Sequence, residues 1–205
     1  MAGSRDRFLT PTLRFRNGVS QVQQALSGMA AKLGVSRRNS DRAVREAFSQ
    51  LQRLNGKLIR SGSEALNGLA EHNRMGIVLI ARPYTLYDSG VNLNIPRKLR
   101  DIYGIDCIPM DFLDLDDINI RSEHDNMFWD YGRRILQAAR FVGDHPHLHL
   151  IFLTNFKCGP DSFIQHFVES ISGKPFLTLQ LDEHGNDAGA LTRCEAYLES
   201  KGFLQ

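Results

Sequence analysis

Cys158 is the residue of this sequence best placed to carry chemistry. It follows the apolar run at 148–153 and opens the segment CGPDS. The run has the length of a buried strand, and Pro160 with Asp161 or Ser162 suits the first turn of a helix. Because backbone N–H groups and the helix dipole favour negative charge there, we expect a thiolate. A thiolate can be a nucleophile, a redox switch or a metal ligand, and no histidine base adjoins it in sequence.

Polar residues follow each of the four runs that we interpret as strands, and Asp111 follows the second of them. The carboxyl ends of parallel strands meet at one edge of a sheet, where open α/β folds bind ligands. We therefore expect one site at this edge. Its candidate residues are Arg82, Tyr84, Asn155, Cys158, Gly159, Asp161, Ser162, Asp182, Glu183, His184 and Arg193.

The guanidinium of Arg82 has two competing roles. Its planar fork can hold a phosphate of coenzyme A or a substrate carboxylate. It can equally form a surface ion pair with the acidic loop LDLDD at residues 113–117. The residue types alone leave both roles open.

The group Asp182, Glu183 and His184 has two interpretations as well. Two carboxylates beside an imidazole can supply acid–base chemistry at the edge of the sheet. The same residues can instead orient the loop at 185–189 and the start of the helix that carries Arg193. Both interpretations place the group at the end of a strand.

Short apolar runs alternate with amphipathic stretches from residue 75 onward. The predicted strands cover 76–81, 105–110, 148–153 and 176–181, and the helices that follow them cover 96–103, 128–142, 161–171 and 189–198. Repeated strand–helix units require a parallel sheet with right-handed crossovers. The sequence therefore predicts an α/β domain at 75–205. We expect a Rossmann-like open parallel sheet of about four strands, with helices on both faces.

Residues 1–74 are expected to form a helical, basic N-terminal arm. Its two apolar stripes are Val22, Leu26, Met29 and Leu33, and Val44, Phe48, Leu51, Leu54 and Leu58. Ser40 with Asp41 is the predicted N-cap of the second helix. Residues 1–75 carry 13 Lys and Arg against 5 Asp and Glu, whereas residues 76–205 carry 12 against 18. The apolar stripes need a cover, which can be the following domain, a missing part of a larger protein or a second copy in a homo-oligomer.

Several classes of function are disfavoured by motifs that the sequence lacks. Aromatic residues are sparse in the basic arm and no nucleic-acid-binding motif occurs, so nucleic acid is not the expected partner. There is no G-x-G-x-x-G, P-loop or G-x-S-x-G motif. No apolar run is long enough for a membrane span and no secretory signal is present, so we expect a cytoplasmic protein.

Other potential metal ligands are less well placed than Cys158. Cys107 falls inside a predicted strand and Cys194 inside a predicted helix, so both are expected to be buried and apolar in character. His145, His147 and His149 alternate at the amino end of the third strand, away from the predicted site. The three cysteines are also too scattered for a disulfide framework.

Five segments of the chain, in order and in register, carry a resemblance to a known family. They are GIVLIARPYTLYDSGVNLNIPRKL, IDCIPMDFL, NFKCGPDSFI, KPFLTLQLDEH and AGALTRCEAYLES. Together they resemble the acyl-CoA dehydratase activase-related proteins, which are relatives of the 2-hydroxyglutaryl-CoA dehydratase subunits. The resemblance covers roughly residues 75–200.

The resemblance implies an oxygen-sensitive iron–sulfur protein whose Rossmann-like subdomains hold a 4Fe–4S cluster through cysteines. In the dehydratases this cluster passes one electron from an ATP-hydrolysing activator to a 2-hydroxyacyl-CoA, so that water can leave. Cys158 in NFKCGPDS matches a position that binds the cluster. The implied partner is an ATP-dependent activator domain or another part of a larger iron–sulfur protein, and an acyl-CoA is a candidate ligand.

The chain offers an incomplete set of ligands for such a cluster, which needs several cysteines. We therefore expect a part of such a protein: a split gene product, a C-terminal portion or a degenerate paralogue that is not catalytic alone. The alternative is a cluster-free α/β interaction module, or a degenerate fragment, that docks to a larger partner. A third class, nucleophilic chemistry at the Cys158 thiol, also stays open.

Overall fold

The computed structural model describes residues 8–155 and 157–204. The described helices are α1 (Val19–Lys32), α2 (Arg37–Glu71), α3 (Pro83–Tyr87), α4 (Ile95–Tyr103), α5 (Asp130–Gly143), α6 (Gly159–Ser172) and α7 (Ala188–Ser200). The described strands are β1 (Gly76–Ile80), β2 (Cys107–Pro109), β3 (Leu148–Asn155) and β4 (Leu177–Leu181). The chain divides into two compact units, Met1–Lys57 and Leu58–Gln205.

The first unit holds α1 and the N-terminal part of α2. Its buried apolar residues include Val22, Ala30 and Val44. α2 begins at Arg37, and the backbone N–H of Asn39 lies 3.3 Å from the Ser36 hydroxyl oxygen. Ser36 therefore occupies the capping position. The prediction of Ser40 as the N-cap is wrong, because Ser40 is buried inside the first turn of the helix.

The second unit contains the predicted parallel sheet. Its strand order is β2-β1-β3-β4, and each neighbouring pair is parallel. β1 is buried along its whole length, and β3 is buried from Leu150 to Thr154. Strands covered on both faces need almost continuous apolar sequence, which both runs have. The predicted α/β class, a Rossmann-like parallel sheet surrounded by helices, is confirmed.

The order of the strands reverses once, between β1 and β3. The chain moves from β1 outward to β2, then crosses back over β1 to β3 and continues to β4. Because such crossovers are right-handed, α4 lies on one face of the sheet and α5 with α6 on the other. The packing agrees, since α5 contacts α6 and α4 contacts α7. Open α/β sheets bind ligands at the carboxyl side of such a reversal.

β2 departs from its predicted bounds. It covers Cys107–Pro109, whereas the apolar run predicts a strand at 105–110. Pro109 lacks the N–H that a ladder hydrogen bond needs, and a 3-10 helix, Met110–Phe112, follows directly. β2 is therefore a short edge strand, and it delivers Asp111 into a turn at the edge of the sheet.

α2 is longer than the apolar stripe at 44–58 indicates. It runs for 35 residues, and Leu69 near its end joins the core of the second unit. The predicted domain boundary between residues 74 and 75 stays a prediction. α2 continues across the division between the two compact units, so that division does not show where an independently folding domain begins. Neither α2 nor any other helix of the described residues is apolar over a length that could span a membrane.

Candidate functional site

An ion pair between Arg82 and Asp161 lies at the carboxyl ends of β1 and β3. Nε of Arg82 is 2.9 Å from Oδ1 of Asp161, whose side chain is 1% exposed. The other carboxylate oxygen accepts a hydrogen bond of 2.7 Å from the Thr154 hydroxyl. The pair therefore joins β1, β3 and α6 through one fully engaged buried carboxylate. The predicted alternative, a surface ion pair of Arg82 with residues 113–117, is wrong because the guanidinium turns to Asp161.

Cys158 lies within reach of the same guanidinium. Nη2 of Arg82 is 3.1 Å from Sγ of Cys158, and this partly exposed residue directly precedes α6. A cationic donor beside a sulfur atom stabilises negative charge on that sulfur, both on a free thiolate and on a metal ligand. Of the residues predicted from the sequence, Arg82, Asp161 and Cys158 therefore form one contiguous group.

The pKa of the Cys158 thiol is raised rather than lowered. Burial is the main cause, and the Asp161 carboxylate adds to it, while the Asp161 backbone and Arg82 act in the opposite direction. The prediction of a favoured thiolate is therefore wrong, because it considers the start of the helix without the burial of the thiol and without the carboxylate nearby. A raised pKa weakens the case for a free nucleophile, whereas a metal ion deprotonates a thiol that it binds.

Aromatic rings flank the Arg82 guanidinium. Its Cζ lies 5.0 Å from the ring centre of Trp129 and 5.9 Å from that of Tyr84. Both distances permit cation–π attraction, which strengthens as the cation loses water. The helix predicted at 128–142 includes Trp129, but the structure places this residue just before α5, beside the site. Arg82 is thus fixed by Asp161, by Cys158 and by two rings.

The remaining candidates at β3 shape the loop around Cys158. Asn155 ends β3, and its Oδ1 accepts a 2.6 Å hydrogen bond from the Thr85 hydroxyl of α3. The Ser162 hydroxyl donates to the Cys158 carbonyl oxygen at 2.9 Å. A Cβ added at Gly159 would meet no atom of the described residues within 4 Å. These residues hold the backbone that carries the thiol.

A second polar cluster surrounds Asp111 at the end of β2. Its carboxylate accepts hydrogen bonds from the hydroxyls of Tyr87 at 2.9 Å and Tyr131 at 3.1 Å, and Nη2 of Arg134 lies 3.5 Å away. Burial and the carboxylate raise the pKa of both tyrosines, so their hydroxyls remain donors. Sequence reasoning found Asp111 and missed its partners. The spacing of Tyr131 and Arg134, three residues apart on one helix, is the available signal.

The candidates at the end of β4 form a separate group. Residues 182–184 are exposed, and the Asp182 carboxylate accepts a hydrogen bond of 2.9 Å from the backbone N–H of His184. That hydrogen bond and the His184 imidazole lower the pKa of Asp182. Arg193 donates to the Thr178 carbonyl oxygen at 2.7 Å, beside a cavity of about 320 Å³. Within the described ranges, no hydrogen bond or ion pair connects this group to the one at β3.

The ligands that a 4Fe–4S cluster needs are not grouped in the described part of the chain. Cys194 is buried in α7, as predicted, while Cys107 packs against the core and is partly exposed. Burial raises the pKa of both thiols to about 12. Among residues 8–155 and 157–204, the one set of three or more Cys, His, Asp or Glu ligand atoms within 4.8 Å of one another is at 182–184, which lacks cysteine. Taken alone, the chain does not fit a cluster held by four cysteines.

The chain matches the model of a known protein family. The model, described as the CoA enzyme activase uncharacterised domain (DUF2229), covers residues 2–113, more than half of the chain. No curated protein and no solved structure matches. The matched range includes α1, α2 and β1 with Arg82, and it ends before Cys158. The family match therefore bears on Arg82 and Asp111 and not on Cys158.

Proposed function

Because the chain belongs to the family described as the CoA enzyme activase uncharacterised domain, we propose that it is one component of an acyl-CoA dehydratase-type activase system. In this proposal the carboxyl edge of the sheet is one wall of a site that another polypeptide completes. The observation that carries the proposal is the contact between Arg82 and Cys158 at the reversal of strand order. This is the position where open α/β sheets bind their ligands.

Cys158 is proposed as one ligand of a 4Fe–4S cluster whose remaining ligands come from the completing polypeptide. Cysteine thiolates hold such clusters, and hydrogen bonds to the ligand sulfur tune them. When bound, the cluster supplies one-electron transfer. The partial exposure of Cys158 supports this role, since a shared cluster requires a ligand at the surface. No atom of the described residues lies within 4 Å of a Cβ added at the neighbouring Gly159.

Arg82 is proposed to position the Cys158 sulfur and to neutralise its charge, rather than to hold a substrate anion. Its Nε bonds Asp161 and its Nη2 bonds the thiol, while two aromatic rings flank it. Asp161 is held in turn by the Thr154 hydroxyl. The guanidinium is therefore anchored without any bound ligand, and one of its N–H groups points at the sulfur.

A second candidate function is a cluster-free α/β module that docks to a larger partner. Four aromatic side chains in α3, in α6 and just before α5 are at least half exposed: Tyr84, Tyr87, Phe163 and Phe128. Exposed aromatic area of this kind is typical of protein-binding surfaces. Both candidates place a partner at the same edge, and they differ in whether Cys158 binds iron.

Anaerobic reconstitution with ferrous iron and sulfide separates the two candidates. A small thiol in excess replaces the ligands that the partner would supply, and chain-bound iron is measured after desalting into the same buffer. We expect a broad brown absorbance that Cys158→Ala abolishes and that the control Cys107→Ala leaves intact. A colourless protein, or a colour that survives Cys158→Ala, contradicts the ligand role and favours the docking module.

A further inference from the structure

An apolar cavity of about 160 Å³ lies in the first compact unit. Its lining residues are Phe15, Val22, Val44, Ala47, Phe48 and Leu51. Phe15 is 61% exposed and Leu51 is 52% exposed, so the cavity opens to solvent. An apolar side chain that entered the cavity would remove its own surface and the surface of the lining from water, which is favourable.

The surroundings of this cavity are basic. Arg14 and Arg16 flank Phe15 in sequence, Arg45 and Glu46 lie between lining residues of α2, and all four are exposed, three cations against one anion. Residues 1–57 carry 11 Lys and Arg against 3 Asp and Glu, a balance of 11 − 3 = +8. A complementary occupant therefore presents an apolar side chain among acidic residues.

Phe128 of the second unit is such a side chain. It is 80% exposed, the highest value among the large apolar side chains of the described residues. Its neighbours are anchored, Met127 by burial and Trp129 against Arg82, so the ring projects from a fixed stretch of backbone. The segment at 114–130 carries six Asp and Glu against a single Arg.

We infer that the chain associates with a second copy of itself, in which Phe128 of one copy fills the apolar cavity of the other. Burial of the ring supplies affinity, and the acidic segment at 114–130 meets the basic surroundings of the cavity. These observations favour a second copy over an anionic membrane or a nucleic acid, because the ring and the complementary cavity belong to the same chain. The inference does not depend on the proposed function.

Sedimentation velocity of the full chain over a range of concentrations tests this inference. We expect a mass above the 23.2 kDa of one chain that grows with concentration and falls as added salt screens the charges. Phe128→Asp and Leu51→Asp should each weaken self-association about tenfold or more, because each removes the burial of one aromatic ring. Ile102→Asp and Leu54→Asp are matched controls, since both residues are also more than half exposed. They should leave association unchanged.

Mixing the Phe128→Asp and Leu51→Asp chains distinguishes this contact from other modes of association. In the mixture the Leu51→Asp chain keeps the Phe128 ring and the Phe128→Asp chain keeps the cavity. Association between these two chains should therefore return. A wild-type chain that stays monomeric at every concentration, or a mixture that stays dissociated, overturns the inference. Circular dichroism checks that each variant keeps its helices, and Ala47→Asp replaces Leu51→Asp if that variant unfolds.

Discussion

Both oxygens of the Asp161 carboxylate are engaged, one by the Arg82 guanidinium and the other by the Thr154 hydroxyl. Removal of the Asp161 charge leaves the Arg82 guanidinium without its counter-ion and partly shielded from water. This costs more stability than the loss of an exposed ion pair. Through Arg82, the same carboxylate also determines where an N–H group meets the Cys158 sulfur. Asp161 therefore affects both stability and the arrangement of the candidate site.

We expect Asp161→Asn to lower the free energy of unfolding by about 2 kcal/mol, the range for a hydrogen bond to a charged group. Urea unfolding measures the change. Asp101→Asn is the control, because Asp101 pairs with Arg97 and Arg100 at the surface, where ion pairs contribute little. Equal urea midpoints for the two variants would show that the Arg82–Asp161 ion pair does not stabilise this edge of the sheet.

His149 connects stability to pH. Burial lowers its pKa to about 4, and Lys174 and Lys201 add repulsion. Within the described residues its Nδ1 has no hydrogen-bond partner. The unfolded chain takes up this proton near pH 6.5 and the folded chain near pH 4, so the unfolded state holds more protons between these values. Stability should therefore fall as the pH drops through this window.

The variant His149→Phe tests that assignment and keeps an aromatic ring against Phe203. It should reduce the loss of stability between about pH 7 and about pH 4.5 by on the order of 1 kcal/mol, since the imidazole is only half buried. Urea unfolding at the two pH values gives the difference. An unchanged pH dependence would assign the acid sensitivity to another group.

At the scale of elements, α2 and the turn after β2 approach each other closely. A Cβ added at Gly62 would overlap the carbonyl oxygen of Phe112, whereas a Cβ added at Gly68 on the same helix would meet nothing within 4 Å. Gly62 thus permits a close approach, whereas a Cβ at Gly68 contacts no atom of the described residues. The two glycines form a matched pair for substitution.

We expect Gly62→Ala to destabilise the protein by about 1–3 kcal/mol, because the added carbon forces the helix away from the backbone of the turn. Gly68→Ala should stabilise it by about 0.5–1 kcal/mol, since alanine loses less freedom in a helix than glycine. Thermal unfolding followed by circular dichroism measures both. Shifts of the same sign would argue against the close approach at Gly62.

The elements were largely predictable because their apolar periods are clear and each strand ends in polar residues. The errors have local causes. Pro109 shortens β2, Gly62 interrupts the apolar stripe of α2, and Ser36 and Ser40 both have the residue type that caps a helix. Only the hydrogen bond of the Asn39 N–H distinguishes the two serines. Residue types therefore indicate the elements better than their ends.

The contacts of the site were less predictable, because they depend on strand order. Arg82 meets Asp161 across 79 positions of the chain since β1 pairs directly with β3. Nothing in the residue types shows that pairing. They leave Arg82 with two possible partners, an anionic ligand or the acidic residues at 113–117. Burial, to which the nearby Asp161 carboxylate adds, raises the pKa of Cys158, and the residue types do not show how deeply this turn is buried.

At the scale of the whole molecule, the chain is a family member whose best candidate site lies partly at the surface. Cys158 is partly exposed, and within the described ranges it belongs to no cluster of three or more metal-ligating groups. A site that another polypeptide completes accounts for both observations. The opposite charge balances of the two compact units, +8 for residues 1–57 and −6 for residues 58–205, add a basis for association with acidic or basic partners.

Residue-resolved alkylation of the cysteines, read by mass spectrometry, tests the role of Cys158 most directly. The chain is treated anaerobically with and without ferrous iron, sulfide and a small thiol, and then receives a brief excess of alkylating reagent. We predict that iron and sulfide protect Cys158, that a chelator removes the protection, and that Cys107 and Cys194 are unaffected. Equal alkylation of Cys158 in both conditions, or protection of Cys107 instead, would contradict the account.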